Sequence, residues 1–288
     1  MKQVRPKKNL GQHFLTDLSI AKRIADTVDA CPDLPVLEVG PGMGVLTQYL
    51  AEKPRPLRVV EIDSESVEYL SDKYGWRVEG ERRKEDALNT DIENEGSLPP
   101  SSSLQPSILE GDFLRMDLHK LFDGQQFVLT GNYPYDISSQ IFFKMLDNRD
   151  LIPCCTGMIQ HEVAQRMAAQ PGTKQYGILS VLIQAWYDVE YLFTVPPTVF
   201  NPPPKVQSAV IRMTRNEVTH LGCDEELFKR VVKATFNQRR KMLRVSLRQL
   251  LPPDAPFFTM HADLLTRRPE QLSIAEFVQL TNYLSDAL

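Results

Sequence analysis

Short apolar runs alternate with stretches of helical spacing along most of the chain. Val36–Val39, Leu57–Asp63, Ser107–Asp112, Phe127–Thr130, a run near Gly157–Gln160, Tyr187–Val195 and Lys205–Met213 read as strands, because they are short β-prone runs without helical periodicity. Helices are expected in the intervals: from Asp17 or Ser19 as N-cap to about Ala30, over Val45–Leu50, from about Ser64, from about Ser138 to Asp147, from His161 to about Ala169, and from about Gly177 to Trp186. Strands separated by helices predict an open, mostly parallel α/β sheet. Past Arg215 the pattern is helical throughout, with turns at Pro252-Pro253, at Pro256 and near Arg268-Pro269. A boundary is therefore expected near residue 214, with an α/β domain over 1–213 and a small all-helical domain over 214–288. Residues 74–107 interrupt the rhythm with dense charge of both signs and the run Ser97-Leu98-Pro99-Pro100-Ser101-Ser102-Ser103. They read as a solvated insertion.

The segments that follow the strands carry groups able to hold a ligand, and an open α/β sheet binds ligands outside the carboxyl ends of its strands. The first strand runs into Glu38-x-Gly40-x-Gly42-x-Gly44. Three positions without side chains let a ligand lie against backbone, although Val45 occupies the place of the last glycine in a dinucleotide fingerprint. Glu61 ends the second strand, where a carboxylate can accept both hydroxyls of a ribose, and Asp112 follows the third. The fourth opens into Gly131-Asn132-Tyr133-Pro134-Tyr135, which offers an amide, a proline without an N–H and an aromatic face. That set suits gripping a flat ring by its exocyclic amine. Taken alone, the five residues are equally an Asn-Pro turn with Tyr135 packed on the core. Four consecutive strand ends with ligand-type residues favour the site.

Composition narrows the class. With 288 residues and 42% hydrophobic content the chain can bury a full core, and no apolar run approaches the ~20 residues that span a bilayer. The basic start, Met1 to Lys8, has no apolar segment behind it, so it does not read as a signal peptide. Cys31, Cys154, Cys155 and Cys223 have no metal or disulfide spacing; a reduced, metal-free, cytoplasmic protein is the expectation. The formal net charge is −4, but its distribution is uneven. Lys229, Arg230, Lys233, Arg239, Arg240, Lys241, Arg244 and Arg248 follow one another with no acid between them, while Phe236, Met242 and Leu243 are available for packing. This stretch is read either as a solvated helix face or, given its single sign, as a contact for RNA phosphates.

These motifs together resemble one family. Asn9-Leu10-Gly11-Gln12-His13-Phe14-Leu15, the Glu38–Gly44 turn, Val60-Glu61-Ile62-Asp63, Glu110-Gly111-Asp112, Gly131–Tyr135 and Phe200–Val210 look like the motif set of the ribosomal RNA adenine dimethyltransferases, in order and over almost the whole chain. The likeness is greatest to the bacterial small-subunit branch, linked to kasugamycin resistance. It implies a Rossmann-like, seven-strand methyltransferase sheet with a small all-helical C-terminal domain, and S-adenosylmethionine as cofactor. The implied substrate is a pair of adjacent adenosines near the 3′ end of 16S rRNA, in a precursor of the small ribosomal subunit, converted to N6,N6-dimethyladenosine by a monomeric enzyme. Carried over by residue, Gln12, His13 and Leu15 would close over the cofactor, and Glu38, Gly40 and Gly42 would flank it. Glu61 would hold its ribose, Asp112 its adenine amine, and Asn132 would touch both cofactor and target base. Asn132, Tyr133, Pro134 and Tyr135 would form the reacting centre, with Tyr135 and Phe200 as stacking faces. The chain departs from the commonest pattern at His13, where Asn is usual, at Tyr133, where Leu is usual, and in the 74–107 insertion. Two other readings compete: a dimethyltransferase acting on 23S rRNA, and a non-catalytic RNA-binding assembly factor or transcription factor on the same fold.

Overall fold

The structure is a computed structural model, and it describes residues 6, 7, 12–79 and 106–288. The N-terminal residues 1–5 and 8–11 and most of the expected insertion, 80–105, lie outside the described residues. In chain order the elements are β1 (Phe14–Leu15), α1 (Leu18–Ala25), β2 (Val36–Val39), α2 (Thr47–Leu50), β3 (Leu57–Glu61), α3 (Ser64–Tyr74), β4 (Arg77–Val78), β5 (Ser107–Glu110), β6 (Val128–Thr130), α4 (Ser138–Asp147), β7 (Cys154–Gln160), α5 (His161–Met167), α6 (Ile178–Gln184), β8 (Tyr187–Val195), β9 (Phe200–Asn201), β10 (Ser208–Arg215), α7 (Glu225–Asn237), α8 (Leu243–Ser246), α9 (Phe257–Met260) and α10 (Ile274–Ser285).

The main sheet runs β4-β5-β3-β2-β6-β7-β10-β8. Seven of these strands are the seven expected; the two-residue β4 adds an eighth at the edge. The pairings β2–β3, β2–β6, β3–β5 and β6–β7 are parallel. Every residue of β2 and β6 is buried, Glu38 and Thr130 included, and a strand covered on both faces has no solvent side to mark with alternating polar residues. The register aligns Val39 with Val60, Glu38 with Thr130 and Glu61 with Glu110. The segments after β2, β3, β5 and β6 therefore emerge side by side.

Local chemistry sets the ends of the elements. Asp17, not Ser19, caps α1 by accepting the Ser19 and Ile20 N–H groups. The helix stops at Ala25 and tightens into a 3-10 turn over Asp26–Ala30, where the Thr27 hydroxyl donates to the Ile24 carbonyl. Asp63 caps α3 and Gly75, at φ +68°, closes it in the left-handed conformation that favours glycine.

The chain divides into two compact units, Met1–Ile159 with Thr194–Val210, and Gln160–Phe193 with Ile211–Leu288. The expected division at 213/214 differs from this in two respects: residues 160–193 group with the late helices, and so do residues 211–213. Aromatic packing accounts for the first, because Tyr176 meets Phe236 edge-on and Trp186 meets Phe228 likewise, at ring-centroid distances of 6.0 and 6.1 Å. A correction concerns sulfur. Cys31 and Cys154 are bridged, with Cα atoms 5.8 Å apart across a separation of 123 residues; the fold joins what the spacing kept apart. Cys155 and Cys223 are unbridged and buried.

One close approach fixes the strand next to the site. At Gly157 (φ +147°) an added Cβ would lie 2.4 Å from the Gly131 carbonyl and 2.7 Å from Tyr133 Cε2. Gly157→Ala is therefore expected to cost about 2–3 kcal/mol of stability, read as a lower urea midpoint at unchanged slope; an unaltered midpoint would contradict this packing.

Candidate active site

The segment after β6 is less free than a loop. Tyr133 N–H donates to the Met158 carbonyl (3.0 Å), Met158 N–H donates to the Gly131 carbonyl (2.9 Å), and Asn132 bridges to Met158. The β6–β7 pairing thus continues into the motif. It needs glycine at 131, where a Cβ would meet the Val39 carbonyl at 2.6 Å. Tyr133, expected at the reacting centre, buries its ring to 1% exposure. Its hydroxyl donates to the Thr156 carbonyl at 3.0 Å and lies 3.1 Å from Cys155 Sγ. The side chain is an anchor, and burial raises its pKa well above the ordinary phenol value.

Asn132 faces the opposite way. Its Nδ2 donates to the His13 carbonyl at 3.2 Å. A carbonyl can only accept, so the amide orientation is set and Oδ1 is left as an acceptor. Tyr135 bonds the Ser208 hydroxyl through its own, and its ring centroid lies 5.4 Å from that of His13. Pro134 borders Gly40 (φ +71°), at which an added Cβ would be 3.7 Å from the proline ring.

On the neighbouring strand end, Glu61 is 3% exposed and accepts the Gly42 N–H (3.0 Å) on Oε2 and the Asp63 N–H (2.9 Å) on Oε1. Burial raises its pKa, opposed by those two backbone donors. A carboxylate has about four lone-pair sites, so Glu61 keeps acceptor capacity beyond its backbone donors. For Asp63 the balance reverses: burial would raise its pKa, but Lys7, Ser66 and the Glu65 N–H outweigh burial and hold it low. Lys7 Nζ lies 2.6 Å from Asp63 Oδ1 and 3.1 Å from Glu65 Oε1. Its backbone N–H also donates to Gln12 Oε1 at 2.8 Å. The sequence showed Lys7 only as part of a basic arm; its partner was hidden because they are 56 residues apart.

Gln12, His13, Gly40, Glu61, Asp112, Asn132, Tyr133, Pro134 and Tyr135 line one cavity of about 220 Å³. Phe14, Ile62 and Phe113 share that wall and were missed. For Ile62 and Phe113 the available signal was an apolar residue immediately after a strand-end acid, and Ile62 is 53% exposed there. Leu15 and Glu38 line a smaller cavity of about 40 Å³, to which Gly40 and Asn132 also contribute. Gly42 lines neither and acts through its N–H on Glu61. Phe200, expected as a stacking face, lines neither as well. It pairs with Leu15 in the β1–β9 ladder and is 4% exposed, so cross-strand burial removes it from this wall. Asp112 caps the 3-10 turn Phe113–Arg115 by accepting the Leu114 N–H at 2.9 Å.

In the second unit the basic stretch is not one helix. It is divided between α7, a turn over 238–242, and α8 with the 3-10 turn Leu247–Gln249. Arg230, Lys233, Arg240, Lys241, Arg244 and Arg248 are exposed. Lys229 pairs with Glu226 (2.9 Å), and Arg239 donates to the Thr173 carbonyl (3.0 Å). Phe236 and Leu243 pack inside as expected, but Met242 is 46% exposed, among the cations.

Glu38 is the most perturbed acid of the site. It is 1% exposed, its Oε2 has no hydrogen-bond partner, and its pKa is raised to about 8, chiefly by burial and also by the Glu61 charge, against the Thr47 hydroxyl. Between the ordinary carboxylate range and that value the folded chain holds a proton that the unfolded chain has released, so stability from this group falls as pH rises through the window. Glu38→Gln should flatten the decline in unfolding free energy between pH 5 and 8; an unchanged slope would contradict the burial of a charge-bearing group.

Comparison with known proteins identifies the family. The family described as "Ribosomal RNA adenine dimethylase" matches residues 3–286. A protein of Bacteroides thetaiotaomicron named Ribosomal RNA small subunit methyltransferase A is 62% identical over 288 residues, covering 100% of this chain and 97% of that one. Its namesake in Porphyromonas gingivalis is 53% identical over 282 residues, with 98% of each covered. Among solved structures, a dimethyladenosine transferase from Plasmodium falciparum superposes with a TM-score of 0.72 at 23% identity, over 96% of this chain and 98% of that one. The 23S rRNA methyltransferase ErmE does so with 0.62 at 24%, over 94% and 99%. The last two likenesses speak to the fold alone. With a match from residue 3 to residue 286 and full-length relatives above half identity, the chain belongs to the ribosomal RNA adenine dimethylase family.

Proposed function

We propose that the protein transfers methyl groups from S-adenosylmethionine to the exocyclic amines of two adjacent adenosines near the 3′ end of 16S rRNA, giving N6,N6-dimethyladenosine, within a precursor of the small ribosomal subunit in the cytoplasm. The observation that carries the reading is the Asn132 amide, held by the His13 carbonyl with Oδ1 left to accept, on the wall of a cavity that also contains Glu61 and Asp112. The small-subunit relatives favour 16S over 23S rRNA as substrate.

The residues fit the cofactor. Glu38 Oε2, buried and unpartnered, suits the ammonium of the methionine portion, because a buried acid without a partner is costly until a cation offsets it. Gly40 and Gly42 leave backbone exposed, and a Cβ at 42 would press on Phe14 Cε1 at 3.0 Å. Glu61 keeps acceptor capacity for a ribose hydroxyl beyond its backbone donors, and the exposed Ile62 beside it offers an apolar face for adenine. Asp112 Oδ1 caps the Leu114 N–H and Oδ2 lies 3.4 Å from Arg115 Nε; a carboxylate oxygen carries two lone pairs, so Oδ2 would accept the adenine amine beside Arg115. When bound, S-adenosylmethionine supplies an electrophilic methyl group on a cationic sulfur.

An adenine amine is a weak nucleophile because its lone pair is delocalised into the ring. Accepting N6–H bonds at Asn132 Oδ1 and at the Tyr133 or Pro134 carbonyl would localise that pair towards the methyl group. The displaced amine proton then leaves to solvent, so positioning does most of the work, which can supply ~7–11 kcal/mol of a barrier. Tyr135 would stack on the base, worth about 1–3 kcal/mol, once the base is unstacked from its RNA. The exposed cations of α7 and α8 would meet phosphates, with Met242 among them as an apolar contact.

Incubation with labelled cofactor and either 30S or 50S particles from unmethylated cells, followed by mapping of the modified base, tests the substrate; label confined to 50S would overturn it. Asn132→Ala should leave cofactor binding measurable and lower methyl transfer by about two orders of magnitude or more, so wild-type turnover would remove Asn132 from the mechanism. Reversing Arg239, Arg240 and Lys241 to Glu should weaken RNA binding and flatten its salt dependence with cofactor affinity unchanged. RNA affinity equal to wild type would reassign that face to solvent.

A further inference from the structure

We propose that His13, through its imidazole ring, positions the face on which the target base stacks. This rests on the reading of the cavity as an adenine methylation site. His13 touches two segments that the fold brings together, the Asn132–Tyr135 segment and Pro202. Its carbonyl receives Asn132 Nδ2 at 3.2 Å, its Nδ1 lies 2.8 Å from the Pro202 carbonyl, and its ring sits 5.4 Å from that of Tyr135, tilted by 31°. Because the Pro202 carbonyl can only accept, Nδ1 carries the proton and a neutral ring keeps its lone pair on Nε2.

The residue is held where it can do this. Phe14 and Leu15 pair antiparallel with Asn201 and Phe200, and Thr16 N–H donates to the Val199 carbonyl at 2.8 Å. The ladder brings residue 13 beside Pro202, and the Nδ1 bond then fixes the ring rotation against Tyr135. Tyr135 is clamped at its far end by the Ser208 hydroxyl. With Phe200 buried under Leu15, the imidazole is the aromatic group that backs Tyr135 at the cavity. The two duties of His13 are separable by chemistry. Its backbone carbonyl orients the acceptor Asn132, and any residue retains that. Its side chain orients the stacking face, and an alanine does not.

A slack stacking face should matter most for the second methyl group. N6-Methyladenosine has one N–H left to bind an acceptor, so its retention depends more on the ring than that of adenosine does. The test measures three quantities for wild type, His13→Ala and His13→Phe: cofactor affinity by calorimetry, kcat on unmethylated 30S particles, and the ratio of mono- to dimethyladenosine in digested RNA. Alanine should lower kcat about tenfold, equivalent to ~1.4 kcal/mol, raise the monomethyl fraction, and change cofactor affinity by less than threefold. Phenylalanine, which keeps a ring on Tyr135 without the Nδ1 bond, should fall between alanine and wild type in both kcat and product ratio. A wild-type product ratio in His13→Ala would overturn the proposal. So would a loss of cofactor affinity as large as the loss of kcat, or a fall in melting temperature that tracks activity across both variants. If wild type itself makes no dimethyladenosine on either particle, the functional reading fails, and the role of His13 falls with it.

Discussion

Parallel pairing of β3, β2 and β6, with β5 beyond β3 and β7 beyond β6, is the constraint on which the site depends. Each backbone ladder fixes its register, and a slip by one residue would turn every side chain to the opposite face. With Val39 opposite Val60 and Glu61 opposite Glu110, the chain leaves the sheet at one level after four strands in succession. Residues as far apart in sequence as Gly40 and Asn132 then share a cavity wall. The glycines at 131 and 157 serve that constraint, since a Cβ at either would press against backbone at 2.6 Å or less. Tyr133, anchored on Thr156 by its hydroxyl, holds the same junction from the core side.

Burial of acids at such a junction needs a reason. Glu38 and Glu61 are both nearly inaccessible, and burial raises the pKa of each. Glu61 is partly compensated by two backbone N–H groups, whereas Glu38 Oε2 has no partner. An arrangement that lowers stability and is offset by a cationic ligand is what a binding site for such a ligand requires. Asp63, two residues beyond Glu61, has its own lysine and serves the helix start instead. Neighbouring acids on one strand end thus have different fates, decided by which of them the arm at Lys7 reaches.

Much of this was legible in the chain. The seven strands, α4 from Ser138 to Asp147 and the start of α3 at Ser64 follow from apolar patterning and capping residues, because these depend on neighbours a few positions away. The four strand-end motifs were legible for the same reason. The shortening of α1 at its end and of α2 at its start was not, since residues 26–30 tighten into a 3-10 turn with the Thr27 hydroxyl on the Ile24 carbonyl, and residues 42–46 form a turn ahead of α2. The basic stretch read as one helix because its charge is continuous; the break near residues 238–242 interrupts backbone periodicity, not charge.

By itself the amino-acid sequence determined the α/β class, the order of the elements and the residue types at each strand end, because periodicity and turn chemistry are local. Tertiary structure decided which of those residues meet. It joined Cys31 to Cys154, sent Tyr133 into the core, buried Phe200 under Leu15 and grouped residues 160–193 with the late helices. It also brought His13 between Asn132, Tyr135 and Pro202. Each of these outcomes rests on contacts between distant parts of the chain, whose energies depend on the geometry of packing and carry no signature in the spacing of residues.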